Sequence, residues 1–190
     1  MNVREAIEKR RTIRKYKQTE IDKATLHELI DCARLAAYGA NIQPLKFMAI
    51  NDKEKVSKVF PFIKWAGYLP DGAPKDGEQP TAYIVVLGDT GIKKSADFET
   101  DAGAAVSNMM LRATELELGT CWLGNIDREK ISAELNLPEN LKLLYLLAVG
   151  EPMQESKACD MSDGNVKYFE DENGVICVPK RSLEEIIIED

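Results

Sequence analysis

The sequence predicts one layered α+β domain over residues 1–190, on three observations. Segments with helical apolar spacing alternate, imperfectly, with short apolar runs of strand type. No internal repeat, low-complexity tract or linker divides the chain. Its 190 residues suit a single well-filled domain, with 44% hydrophobic and 30% charged residues to bury a core and keep it solvated.

The elements follow in order. A first helix over about Val3–Arg10 carries Val3, Ala6 and Ile7 on one face. A second runs from the N-cap Asp22 to about Ala37, with Leu26, Leu29, Ile30 and Ala33 at helical spacing and Gly39 as its stop. Lys46–Asn51 reads as a buried strand, followed by a short helix over Glu54–Phe60. Trp65–Pro80 holds three glycines and three prolines, too broken for regular structure and too long for an idle connector; it is a candidate lid or substrate loop. Ala82–Gly88 is the clearest strand. The long helix over about Phe98–Leu118 repeats Ala102, Val106, Met109, Met110, Ala113 and Leu116 at spacings of three and four. Thr120–Leu123 is a short strand, Asp127 caps a helix ending near Asn136, and Lys142–Val149 is a last core strand. Residues 151–174 read as polar and irregular. Gly174–Val178 reads as an edge strand broken by Pro179, before a short helix over Ser182–Ile188.

A net charge of −7 argues against a general role on nucleic acid or an anionic membrane. Met1–Glu5 has no signal-peptide character and no apolar run approaches a bilayer span, so a cytoplasmic protein is expected. Cys32, Cys121, Cys159 and Cys177 are scattered, and His27 is the only histidine, on what reads as a helix surface. This pattern argues against zinc-finger and dithiol chemistry, and against any His-based triad unless His27 is its base.

Four segments could carry chemistry. Lys9-Arg10-Arg11-Thr12-Ile13-Arg14-Lys15 packs five cations into seven residues of an acidic chain. Such crowding suits a phosphate, whose oxygens arginine forks bind in pairs, or merely cations gathered at a helix C-terminus. Gly39-Ala40-Asn41-Ile42-Gln43-Pro44 offers two side-chain amides that could meet the edge of a planar heterocycle, or is a plain helix-ending turn. Leu123-Gly124 closes a strand where backbone could approach a flat ligand, or simply turns. Lys180-Arg181 opens the last helix with cations, against the usual dipole preference, as a bound phosphate would explain. A basic segment binding nucleic acid is a third reading for Lys9–Lys17. No Gly-x-Gly-x-x-Gly follows a strand, so a Rossmann site is not expected.

Taken in register, these segments resemble the FMN-dependent nitroreductase family along essentially the whole chain. The matches are Arg10–Tyr16, Ala36–Leu45, Asp101-Ala102-Gly103 with Asn108-Met109, Leu118–Gly124, and Lys180–Ile186. The chain departs from the family pattern at Ala37, Tyr38 and Leu45. The resemblance implies a central mixed or antiparallel sheet flanked by helices, in an intertwined homodimer. It implies an arm at about 151–190 reaching the partner and FMN as cofactor. Arg10, Arg11, Thr12 and Arg14 would hold the phosphate and nearby flavin, with Lys180 and Arg181 completing the clamp. Tyr38, Gly39, Asn41 and Gln43 would line the ring, partly from the neighbouring subunit, with the main chain at Leu123 and Gly124 facing flavin N5. Lys75 and Lys64 are candidates for a lysine near the pyrimidine. The implied activity is NAD(P)H-dependent, ping-pong reduction of a nitroaromatic, quinone or similar acceptor. A flavin carrier, or a flavin-fragmenting or dehalogenating enzyme, is the alternative.

Overall fold

In a computed structural model describing residues 1–95 and 97–189, the apolar alternation of one strand organises two cores. The strand is β2 (Ala82–Asp89), buried from Ala82 through Gly88. Ile84 and Val86 face one core, Tyr83, Val85 and Leu87 the other. Strands β1 (Leu45–Ile50), β2, β4 (Leu141–Gly150) and β3 (Gly119–Leu123) form an antiparallel sheet in the order β1-β2-β4-β3. A bulge opposite Val86/Leu87 shifts the parity of β4, so Leu144 and Leu147 share one face while Leu143 and Leu146 share the other.

Helices cover both faces. On the first lie α2 (Lys23–Arg34) and α4 (Glu99–Glu115), burying Leu26, Leu29, Val106 and Met109 completely. On the second lie α3 (Lys53–Val59) and α5 (Arg128–Glu134) through Val59 and Ile131. The short α1 (Val3–Lys9) rests on α4 with only Ala6 buried; Val3 and Ile7, on the expected apolar face, are 72% and 54% exposed. Asn2, Asp22, Asp52 and Asp127 cap their helices as acceptors of main-chain N–H groups.

Four expectations need correction. Helix α2 ends at Arg34, before Gly39, because side chains satisfy its last carbonyls: Tyr38 O–H donates to Ala33 O at 2.9 Å and Asn108 to Cys32 O at 3.1 Å. The stretch after β4 contains strands β5 (Ser156–Asp160) and β6 (Phe169–Glu170), which flank β7 (Ile176–Lys180) in a small second sheet. β7 is therefore central, and Pro179 lies within it. β6 pairs only with Cys177 and Ile176, leaving the β7 edge beside Pro179 free, so its missing N–H breaks no bond to β6. The last helix, α6, is confined to Leu183–Ile186. Among the described residues no helix is long and apolar enough to cross a membrane.

Gly119 and Gly150 are register partners at the end of the β3–β4 ladder. A Cβ on Gly119 would lie 2.8 Å from Ile13, and one on Gly150 would lie 2.7 Å from Tyr16. The pair leaves a shallow seat on which the basic N-terminal segment packs, with Tyr16 fully buried. Overpacking of this kind costs about 1–3 kcal/mol, roughly 2–12 °C of Tm in a domain of this size. Gly150→Ala should therefore lower the thermal midpoint in a calorimetric scan; an unchanged midpoint would mean that Tyr16 shifts freely.

Candidate functional site

The seated segment is bound along its length by main-chain hydrogen bonds. Ile13 N–H donates to Thr120 O, Tyr16 N–H to Glu78 O, Lys17 N–H to Glu151 O, and Met153 N–H to Lys15 O, each at 2.9 Å. The Gln154 side-chain oxygen accepts from both Arg14 N–H (3.0 Å) and Lys15 N–H (2.9 Å). The cationic side chains of this segment are thus presented from an immobilised backbone.

Arg10, Arg11 and Thr12 border a cavity of about 660 Å³ with Lys180, which comes from the far end of the chain. Ser107, Met110 and Leu111 of α4 form its floor and Trp122 one wall. Trp122 points away from its neighbours Cys121 and Leu123, which enter the second core, and stands edge-on to Tyr145 at 5.2 Å. Burial lowers the pKa of Arg10, and the neighbouring Arg11 charge lowers it further; burial lowers that of Arg11 too. Among the described residues neither Arg10 nor Lys180 has a carboxylate in ion-pair range. Arg11 caps α1, donating to Glu8 O at 2.8 Å and to Arg10 O, yet its buried Nε has no partner. The helix-terminus reading holds for Arg11; Arg10 and Lys180 remain free. A part-buried Arg10 and an exposed Lys180 on one cavity, with the nearby Glu8 paired to Arg4, fit an anion with several oxygens, as a phosphate monoester has.

The other expected residues lie elsewhere in the protomer. Arg14 stacks on Tyr168 with its guanidinium carbon 4.4 Å from the ring centroid, and Tyr168 packs on Tyr68 at 5.1 Å. Arg14 borders a second cavity of about 780 Å³ with Lys15, Lys75 and Gln154. Lys75 is thus the lysine beside Arg14, whereas Lys64 is exposed outside it. Arg181 is exposed and pairs with Glu185 at 3.2 Å, outside the Arg10 cavity. Leu123 is buried in the second core, which leaves only its main chain for a ligand. Gly124 is exposed, and a Cβ there would lie 3.6 Å from Tyr145, an ordinary contact, so nothing crowds its main chain. Tyr38 precedes the Gly39–Asn41 turn, where Asn41 and Gln43 are exposed and Gln43 Nε2 donates to Asn41 O at 3.1 Å. No residue of that turn borders the Arg10 cavity.

Four contributors escaped sequence reasoning as site residues: Gln154, Tyr168, Trp122 and the buried Asp101, whose carboxylate accepts from Gly39 N–H. Gln154 and Tyr168 sit in a stretch without local periodicity. Trp122 carries a weak signal, an aromatic between two glycine-bounded strand ends. Asp101 carries another, a carboxylate inside an apolar helical repeat.

With this geometry in place, the chain matches the Nitroreductase family over residues 7–151. An Archaeoglobus fulgidus protein named NADH dehydrogenase/NAD(P)H nitroreductase is 28% identical over 160 residues, covering 81% of this chain and 87% of that protein. A nitroreductase from Desulfovibrio desulfuricans, solved in complex with FMN, superposes with a TM-score of 0.75 at 25% identity, over 100% of this chain and 97% of that one. An FMN-dependent nitroreductase from Clostridium difficile R20291 gives a TM-score of 0.68 at 29% identity, over 88% and 98%.

Replacing Gln154 with Ala strips the acceptor from two main-chain N–H groups. The two bonds are part-buried, so the loss lies near the low end, about 1 kcal/mol, and the thermal midpoint should fall by roughly 2–4 °C. A midpoint equal to that of the parent would show that water replaces the amide at no cost.

Proposed function

The chain belongs to the nitroreductase family, and from that premise we propose that it is an FMN oxidoreductase. It takes a hydride from NADH or NADPH and delivers reducing equivalents to a small nitroaromatic, quinone or similar acceptor. The observation that carries this reading is the cavity where Arg10 and Thr12 meet Lys180, two distant basic segments around one space. The uncompensated cations there fit a phosphate monoester. The FMN-bound relative lends the rest of that molecule to the proposal.

FMN, when bound, supplies a ring that accepts a hydride and releases it to a second substrate. The residues of this chain bind and orient. Arg10 and Lys180 neutralise the phosphate charge, and the Thr12 hydroxyl donates to one oxygen. Trp122 beside that clamp gives a flat apolar wall. Gly124 N–H at the end of β3 is the proposed donor to the ring, and Arg14 with Lys75 supplies positive charge for its pyrimidine side. The Asn41 and Gln43 amides complete the ring edge from the partner subunit, because within one protomer their turn does not border the clamp.

A homodimer is part of the proposal. Val3 and Ile7 on α1, and Leu183, Ile186 and Ile188 on the tail, are 54–97% exposed, more apolar surface than an isolated chain keeps without reason. The arm from Glu151 onward extends this surface as the element that embraces a second copy.

The test is spectroscopic, then kinetic. The purified protein should show visible flavin bands at one FMN per chain, and light scattering should give twice the chain mass. Turnover with NADH or NADPH and a quinone should give parallel double-reciprocal lines, as alternate use of one site requires. A colourless monomer that does not take up added FMN would refute the reading. A yellow dimer inert to both nicotinamides would favour a flavin carrier.

A further inference from the structure

The turn after α2 is strained, and one buried carboxylate holds it. Ala40, Asn41 and Gln43 have φ of 48°, 54° and 53°, in the left-handed region that non-glycine residues avoid. Strain of this kind persists only where the surroundings impose it. Within the turn, Asn41 N–H donates to Tyr38 O (3.0 Å) and Ile42 N–H to Gly39 O (3.1 Å), which bind it only to itself. The turn's flanks are tied by Tyr38 O–H to Ala33 O (2.9 Å) and by Asp89 N–H to Pro44 O (2.8 Å), and the turn itself by Gly39 N–H, which donates to Asp101 Oδ1 at 3.0 Å.

Asp101 stands in the first turn of α4 and is 3% exposed, a costly place for a carboxylate. Its other oxygen accepts from Lys93 Nζ at 3.2 Å, which balances the charge. A hydrogen bond to a buried ionised acceptor is stronger than a neutral one, so the Gly39 amide is held firmly.

We propose that Asp101 is a positioning residue: through Gly39 N–H it fixes the 39–43 turn in the conformation that presents Asn41 and Gln43 to the flavin ring. This rests on the flavin reading above. Lys93 acts only by orienting the Asp101 carboxylate through their 3.2 Å contact. The two amides then meet the ring already ordered, so less conformational entropy is lost on binding.

Two double variants separate this role from a purely structural one. Asp101→Leu/Lys93→Met removes the acceptor, whereas Asp101→Asn/Lys93→Met keeps an oxygen facing Gly39; neither leaves an unpaired buried charge. Hydrogen exchange of the segment 36–44 is followed in flavin-free protein, and FMN affinity by titration. The leucine variant should exchange at least tenfold faster in the turn and bind FMN about tenfold more weakly, with shifted flavin bands, while the asparagine variant stays near the parent. Two variants alike in exchange would overturn the anchor. Faster exchange with unchanged FMN affinity and bands would overturn the link to the ring. A parent protein without FMN affinity would overturn the flavin reading and this role together, and the parent titration alone would reveal it.

Discussion

The rest of this structure depends on one close approach: an extended, highly cationic segment lies on strands whose facing residues have no side chains. Gly119 and Gly150 stand opposite one another in the β3–β4 ladder, and Ile13 and Tyr16 fill the space their missing Cβ atoms leave. Hydrophobic burial of these two residues carries Arg10, Thr12 and Arg14 to fixed places against their mutual repulsion. The Gln154 amide and main-chain bonds to Thr120, Glu78 and Glu151 remove the remaining freedom. A flexible basic tail would lose much more entropy on ordering around an anion.

From this seat the electrostatics follow. Lys180 reaches the same cavity because β7 runs through the centre of the second sheet and ends beside the segment. Arg11 is used up in capping α1, and Arg181 in an exposed pair with Glu185, so the proposed phosphate clamp rests on Arg10 and Lys180. Arg14 serves the neighbouring cavity, stacked on Tyr168 and near Lys75. The basic segment therefore divides its charges between two cavities, with Arg10, Arg11 and Thr12 on one and Arg14 and Lys15 on the other.

Much of the fold is legible in the sequence because its signals are local. The Ala82–Asp89 run alternates between two cores, and the long α4 repeat buries Ala102, Val106, Met109 and Ala113 as its spacing requires. Helix starts are legible from Asp22 and Asp127, each accepting the N–H of the third helical residue. What escapes is non-local. β5 and β6 are short and polar, and exist only because β7 lies between them. Pro179 reads as a strand breaker because no sequence pattern tells which edge of a strand is unpaired. Asp101 and Gln154 act on main-chain groups 62 and 140 residues away in sequence, so composition around them is silent. Within the candidate site, the basic segments are visible in the sequence, whereas which side chains share a cavity is not.

The central claim is that Arg10, Thr12 and Lys180 hold a phosphate monoester. It is tested most directly by comparing FMN with riboflavin, which lacks only that group, in the parent protein and in Arg10→Ala/Lys180→Ala. Two lost charge-assisted contacts, each worth about 1.5–3 kcal/mol, predict that the parent prefers FMN by roughly a hundredfold or more and that the double variant loses nearly all of this preference. Equal affinities of the parent for both flavins, or an undiminished preference in the variant, would contradict the account.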